Sequence, residues 1–189
     1  MNIPPIIAVD PGTRSAGLAL LYEGQPSLLQ QVRFNKTSNP WVDKKKLLPA
    51  QAPAPERIYA IVREIFHLSL RHFSKFSMLD DKIVLVYEDP HYTLGFRQER
   101  PMEVLYRMVG ALDYAARMLD FTPIGYPVRE VKAQMTGRHN ASKAEVETVL
   151  RHEYNLHEAT YSPDVWDALA VGTCHLAMLR AEEAIKRKL

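Results

Sequence analysis

The chain has 189 residues, which is enough for one domain with a sizeable core, and its apolar share of 47% and charged share of 24% are ordinary for a globular protein. The net charge of +2 permits nucleic-acid binding without requiring it. The single cysteine, Cys174, excludes an internal disulfide and a multi-cysteine zinc site. No apolar run approaches the roughly 20 residues that a membrane-spanning helix needs, and we recognise no signal peptide. We therefore expect a cytoplasmic protein with no membrane association.

The first two predicted strands, residues 3–10 and 16–23, are joined by a turn that follows an acid, Asp10. The apolar run before Asp10 lacks polar alternation, which is typical of a strand buried on both faces. Pro11 and Gly12 favour a chain reversal directly after it. The pattern therefore predicts one carboxylate at the end of a central strand. From this stretch alone, a carboxylate that only caps a hairpin turn is an equally good interpretation.

A third strand is predicted over residues 28–35, and the short connections favour an antiparallel meander. Residues 36–55 then break the pattern with several prolines and the lysine run 44–46. We interpret this segment as an exposed loop insertion. Its lysines either contact phosphates or, as is more common for a short charge run, form a solvated surface.

Residues 56–73 carry apolar side chains at helical spacing, and the apolar run 82–88 that follows them ends on a second acid, Glu88. Because a helix separates this strand from the first one, we predict that the two strands are parallel and central in the sheet. Residues 91–100 are predicted to form an aromatic and basic loop.

Pro101 opens a predicted helix that runs to about Leu119 and has a broad apolar face. That face either covers the sheet on one side and meets a partner subunit on the other, or is wholly internal. A short fifth strand is predicted over residues 121–126. Residues 128–135 are predicted to form one or two helical turns.

Two sequence signals predict where the last two helices begin. Ser142 and Glu145 have the spacing of a capping box, which opens a helix that extends to about Tyr154. Ser162 as N-cap, with Pro163 at the first helical position, predicts the start of the final helix.

Asp164 and Asp167 lie three residues apart at the start of that final helix, so they share one face. Acids are common there simply because they complement the helix dipole. However, these two residues share a feature with Asp10 and Glu88. Each of the four lies at the edge of an apolar element, where we expect its side chain to point into a shared cleft. These residues, hereafter the four acids, would repel one another at neutral pH. Hard oxygen ligands without clustered Cys or His suit Mg²⁺ or Mn²⁺. Two such ions could activate a water molecule and stabilise the leaving oxygen of a phosphodiester, so the pattern predicts phosphodiester hydrolysis.

The combination of motifs resembles the RuvC family of Holliday-junction resolvases, within the RNase H-like superfamily. The matching segments are Ala8–Thr13, the strand that ends at Glu88, Gly137–Glu145 and Asp164–Val171, and their order and spacing cover nearly the whole chain. The resemblance implies an α/β, RNase H-like fold with a five-stranded mixed sheet flanked by helices, in a single domain over residues 1–189. It also implies a homodimer that cleaves four-way (branched) DNA junctions by paired nicks. The expected cofactor is Mg²⁺, two ions per active site, with Mn²⁺ as a substitute.

Carried over by position, the resemblance makes the four acids the metal-binding catalytic residues. It makes Lys143 and Lys132 basic residues near the site that contact DNA or help catalysis. It also implies an aromatic wedge in the loop after Glu88, for which Tyr92 is favoured and Phe96 comes second, against the alternative of simple loop packing. The basic side chains expected along the phosphate tracks are those of residues 44–46, Arg97, Arg100, Lys132, Arg138 and Lys143.

Two features depart from the family pattern. His91 falls nearest to the position of the wedge, and the insertion 36–55 is absent from the compact pattern of cellular resolvases. Alternative interpretations are an RNA-processing nuclease of the related YqgF group and a non-catalytic branched-DNA-binding protein. The four acids argue against the second of these, because a scaffold has no need of metal ligands. A nucleotide binder of the sugar-kinase or actin type shares the opening strand pair, but the chain is short for a two-lobed cleft.

Overall fold

Five strands form one mixed sheet in a computed structural model that describes residues 3–12, 14–33, 54–74, 82–90 and 99–188. The strands are β1 (Ile6–Asp10), β2 (Ser15–Tyr22), β3 (Gln25–Arg33), β4 (Val84–Asp89) and β5 (Thr122–Pro127). Their order across the sheet is β3-β2-β1-β4-β5. The first three strands are antiparallel neighbours, while β4 is parallel to both β1 and β5. The predicted meander and the predicted parallel pairing of the first and fourth strands are confirmed.

Helices cover both faces of the sheet. They are α1 (Ala54–Ser74), α2 (Glu99–Met118), α3 (Val128–Thr136), α4 (Lys143–Glu153) and α5 (Pro163–Lys186). Helices α1 and α2 pack on one face, and α5, flanked by α3 and α4, packs on the other. The expected five-stranded mixed sheet with flanking helices is therefore confirmed. In the ranges that the structure covers, no helix has the length and apolarity of a bilayer-spanning segment.

The third strand begins at Gln25, three residues earlier than predicted. Glu23 and Gly24 have positive φ angles of 50° and 77°, and Tyr22 pairs with Gln25 across them. This is the geometry of a two-residue hairpin loop, whose twist matches that of the flanking strands. Pro26 had suggested a break, but β3 is an edge strand, where a missing backbone N–H is tolerated.

Two helices begin inside segments that were predicted to be loops. Helix α1 starts at Ala54, within the predicted insertion 36–55, and Pro55 fits in its first turn because the N–H groups there need no helical partner. Helix α2 starts at Glu99, so Pro101 also lies in a first turn, where its missing N–H costs no helical hydrogen bond. The rest of the insertion, residues 36–53, lies outside the described residues.

The starts of the last two helices agree with the sequence signals, with one exception. The capping box of Ser142 and Glu145 is present in full. Pro163 occupies the first position of α5, and Ser162 precedes it in an extended conformation. The Ser162 side chain nevertheless makes no capping hydrogen bond.

Helix α5 packs closely on the sheet, and two glycines permit it. A Cβ at Gly172 would lie 2.9 Å from the Cβ of Ala8, and a Cβ at Gly17 would lie 1.8 Å from the carbonyl oxygen of Asp164. Neither distance is compatible with a side chain. The glycine in β2 therefore lets the first turn of α5 rest directly on the sheet, beside the end of β1.

Gly17→Ala should destabilise the protein by about 1–3 kcal/mol or more, because the new methyl group meets helix backbone rather than a flexible side chain. The measurement is the free energy of unfolding in urea.

The matched control is Gly110→Ala, because a Cβ at this helical position meets no atom within 4 Å. We expect that change to be stabilising by about 0.5–1 kcal/mol, as for an exposed helix interior. Equal free energies for Gly17→Ala and wild type would contradict the packing described for α5.

Candidate active site

The sheet directs Asp10 and Glu88 to the same place. Val9 pairs with Tyr87 in the parallel β1–β4 ladder, one residue before each acid. Side chains alternate along a strand, and Ala8 and Val86 belong to the core beneath α5. The acids two residues further on therefore face α5 as well, at the edge where both strands end.

The first two turns of α5 bring Asp164 and Asp167 to this edge. Asp164 accepts a hydrogen bond of 2.8 Å from Ser15 Oγ and another of 2.8 Å from Gln31 Nε2. Asp167 forms an ion pair with Lys143, the first residue of α4. The Asp167 side chain is 17% exposed, whereas that of Lys143 is 69% exposed. One acid is thus held by neutral donors from the sheet and the other by a cation from a neighbouring helix.

The electrostatics of the cleft reflect the proximity of the four acids. Burial, followed by the charges of Glu88, Asp167 and Asp164, raises the pKa of Asp10 well above its usual range, although Lys143 opposes the shift. Burial and the charge of Asp167 also raise the pKa of Glu88. The cleft therefore has an excess of negative charge that the protein only partly compensates.

The nearest compensating charges come from Lys143 and Lys132. Both lower the pKa of Glu88 against the effect of its burial. Partial burial by itself would lower the pKa of Lys143, but its hydrogen bond to Asp167 and the charges of the nearby acids raise it overall. Lys143 is accordingly a cation at neutral pH. These residues line a cavity of about 80 Å³ together with Glu88 and Asp167.

The donor set of the cleft fits a hard divalent cation, because it consists of carboxylate oxygens with uncompensated negative charge. The side chains are not closed around an ion position. Among the described residues, no three His, Cys, Asp or Glu side chains stand close enough to share one ion. In this arrangement the Lys143 ammonium lies against Asp167.

The remaining predicted site residues are placed differently. Arg138 is exposed and pairs with Glu145 of the α4 capping box. Arg100 lies in the first turn of α2. Tyr92, Phe96, Arg97 and the lysine run 44–46 lie outside the described residues, so their predicted roles stay predictions.

Sequence reasoning missed Ser15 and Gln31. Ser15 was not singled out because a serine next to a turn is ordinary, and Gln31 was one polar residue in a half-exposed strand. A usable signal was Gly17, which pairs with Gln31 across β2 and β3. A glycine inside a strand often marks close approach of another backbone.

Asp10→Asn should stabilise the metal-free protein at neutral pH. The folded-state pKa of Asp10 is raised, so the native state favours the protonated carboxyl, and the stability associated with it is lost as pH rises through that pKa. An amide escapes this loss. In calorimetry with a chelator, we expect a higher Tm than wild type at about pH 7.5 and a shrinking difference toward about pH 4. One kcal/mol shifts the Tm of a domain of this size by about 2–4 °C.

Glu158→Gln serves as the control, because it removes an exposed carboxylate from a loop. Its effect should stay within about 0.5 kcal/mol. A Tm for Asp10→Asn at or below that of wild type at neutral pH would refute the charge excess described here.

Comparison with known proteins identifies the family and agrees with this fold. Residues 6–175 match the model of the family described as "Crossover junction endodeoxyribonuclease RuvC". The RuvC protein of Alkalilimnicola ehrlichii is 26% identical over 98% of both chains, and that of Pelotomaculum thermopropionicum is 26% identical over 97% of this chain and 99% of the relative. The solved structure of Thermus thermophilus RuvC in complex with Holliday junction substrate has the same fold, with a TM-score of 0.72 and 21% identity over 95% of this chain and 97% of that one. The chain belongs to the RuvC family of crossover junction endodeoxyribonucleases.

Proposed function

We propose that the protein is a structure-selective endonuclease that resolves four-way DNA junctions by paired, symmetric nicks. The observation that carries the proposal is the charge excess of the acidic cleft, in which Asp10 lies at the end of the central strand among three further carboxylates. Family membership supplies the reaction class, and the Thermus thermophilus relative has been solved with Holliday junction substrate. A phosphodiester entering this cleft would meet the carboxylates of Glu88 and Asp167 and the ammonium groups of Lys132 and Lys143.

We infer that the four acids hold Mg²⁺, two ions per active site, and that Mn²⁺ substitutes. When bound, these ions would supply activation of a water molecule and stabilisation of the leaving oxygen. The chain's own contribution is to hold the acids together at the end of the sheet and to orient Asp164 through Ser15 and Gln31. The hydrogen bond to Asp167 and the charges of the nearby acids raise the pKa of Lys143, which suits this cation to offset phosphate charge beside Asp167.

Contacts to the DNA backbone are assigned to basic residues around the cleft. Lys132 lines the same small cavity as Glu88, and Lys143 flanks it from α4. Arg138 is exposed between α3 and α4, where it pairs with Glu145, and is assigned to the same set by resemblance. By resemblance alone, the proposal extends to Arg97 and Arg100 on the phosphate tracks and to Tyr92, then Phe96, as the wedge.

The test is incubation of the purified protein with labelled four-way junctions, with and without Mg²⁺. We expect paired symmetric nicks from the wild type. Asp10→Asn should retain junction binding while its cleavage rate falls by more than about 100-fold. Loss of a residue that only hydrogen-bonds to a metal ligand already lowers activity by about 10–100-fold, and loss of a ligand should cost more. Asp120→Asn, at an exposed position whose positive φ suits asparagine, should cleave normally.

Several outcomes would count against the proposal. Cleavage by Asp10→Asn at the wild-type rate would remove Asp10 from the site. Preference of the wild type for structured RNA would favour a YqgF-like nuclease. Junction binding by the wild type with no cleavage at any Mg²⁺ concentration would favour a scaffold.

We further infer that the protein acts as a homodimer through the groove between α1 and α2. A junction of two-fold symmetry needs two nicks, and an isologous dimer supplies two equivalent active sites. The groove has a volume of about 790 Å³. Four of the seven large apolar side chains that are exposed in the described part of the chain line it, namely Tyr59, Tyr114, Met118 and Leu119. Such a concentration of exposed apolar surface is typical of a protein interface.

Met118→Glu should weaken the dimer at least tenfold, because it replaces about 1.5–3 kcal/mol of apolar burial with a charge, and 1.4 kcal/mol corresponds to tenfold. Sedimentation equilibrium measures the dissociation constant. Met178→Glu is the matched control, since Met178 is also an exposed methionine but lies on α5. Equal dissociation constants for the two variants would exclude the groove as the interface.

A further inference from the structure

A polar network connects the edge of the sheet to the acidic cleft. Its members come from three elements: Ser15 at the start of β2, Gln31 and Arg33 on β3, and Asp164 on α5. We propose that Ser15 and Gln31 are positioning residues, which orient the Asp164 carboxylate for divalent cation binding and touch neither the DNA nor the reacting atoms. The proposal rests on the proposed function, because it assigns a role within that same site.

The contacts to Asp164 are short and convergent. Ser15 Oγ and Gln31 Nε2 each donate to Asp164 Oδ2 at 2.8 Å, and Gln31 Nε2 lies 3.4 Å from Ser15 Oγ. Two donors on one oxygen hold that oxygen in place and restrict the orientations open to the carboxylate. No hydrogen bond from the described residues ends on Oδ1, which leaves that oxygen for a ligand.

The donors are neutral, and this separates Asp164 from Asp167. Lys143 lies against Asp167 and offsets part of its charge. Ser15 and Gln31 hold Asp164 without adding positive charge. Neutral donors that orient a metal-binding carboxylate are the usual kind of outer-shell support.

The network is itself oriented by its surroundings. Arg33 Nε donates to Gln31 Oε1 at 2.6 Å, which turns the Gln31 amide nitrogen toward Asp164. Ser15 pairs with Arg33 across the two strands, and Gly17 pairs with Gln31. Because Gly17 has no side chain, Gln31 reaches across β2 to the helix that rests there.

The competing explanation is that the network merely ties α5 to the sheet. A structural tie would affect unfolding but not the affinity for a divalent cation. A positioning role would weaken cation binding even in variants that fold normally. Cation affinity in the absence of DNA therefore separates the two explanations without relying on activity.

Gln31→Met keeps the length of the side chain and removes its donors, and Ser15→Ala removes the hydroxyl. The matched controls are Gln30→Met, at an exposed neighbour that faces the other side of β3, and Ser15→Thr, which retains a hydroxyl. The first readout is calorimetric titration of the metal-free, DNA-free protein with Mn²⁺. The second is the Mg²⁺ concentration for half-maximal junction cleavage, with junction binding measured in a chelator.

We expect Gln31→Met and Ser15→Ala to bind Mn²⁺ about 10–100-fold more weakly and to need correspondingly more Mg²⁺, with metal-free junction binding unchanged. Gln30→Met and Ser15→Thr should resemble the wild type. A lowered unfolding midpoint with wild-type Mn²⁺ affinity and Mg²⁺ requirement would overturn the positioning role.

The same data separate failure of this inference from failure of the proposed function. Wild-type junction cleavage together with unaltered metal dependence in the variants refutes only the positioning role. Absence of junction cleavage, together with weaker Mn²⁺ binding in the variants, supports the network and refutes the proposed function. A wild type that neither binds Mn²⁺ nor cleaves junctions refutes both.

Discussion

Mutual repulsion among carboxylates is the constraint on which the rest of the structure depends. Asp10 is held at the end of a buried strand, with burial and three like charges all opposing its ionisation. Such an arrangement costs folding free energy, so the remainder of the fold must supply it. A sheet covered by helices on both faces provides the rigid support. Lys132 of α3 and Lys143 of α4 offset part of the negative charge of the cleft.

The close contact between α5 and the sheet turns this constraint into a site. Without a small residue at Gly17, the first turn of α5 would be displaced from β2, and Asp164 with it. The two acids of α5 differ in the charge of their partners. Asp167 is paired with a largely exposed lysine, whereas Asp164 is held by neutral donors on the sheet. The cleft therefore contains one carboxylate paired with a cation and one carboxylate held by neutral hydrogen-bond donors.

Much of the architecture was predictable because local sequence patterns indicate where strands lie and where helices begin. The apolar run before Asp10 predicted a strand buried on both faces, and the run before Glu88 predicted a central strand parallel to it. The capping box at Ser142 predicted the start of α4 correctly. The errors fell where tertiary context overrides local preference. Pro26 is tolerated because β3 is at the edge, and Glu23 adopts a positive φ because the hairpin twist requires it.

By itself, the sequence determined the types of element and their order and made the four acids candidates for the site, because hydrophobic periodicity and the ends of apolar runs are local properties of the chain. Only the tertiary structure decided which partners each acid has. Ser15 and Gln31 reach Asp164 across 149 and 133 positions of sequence, and Lys143 reaches Asp167 across 24. Contacts at such separations depend on how closely α5 packs on the sheet, and that distance is set by backbone and side-chain volumes from several elements at once.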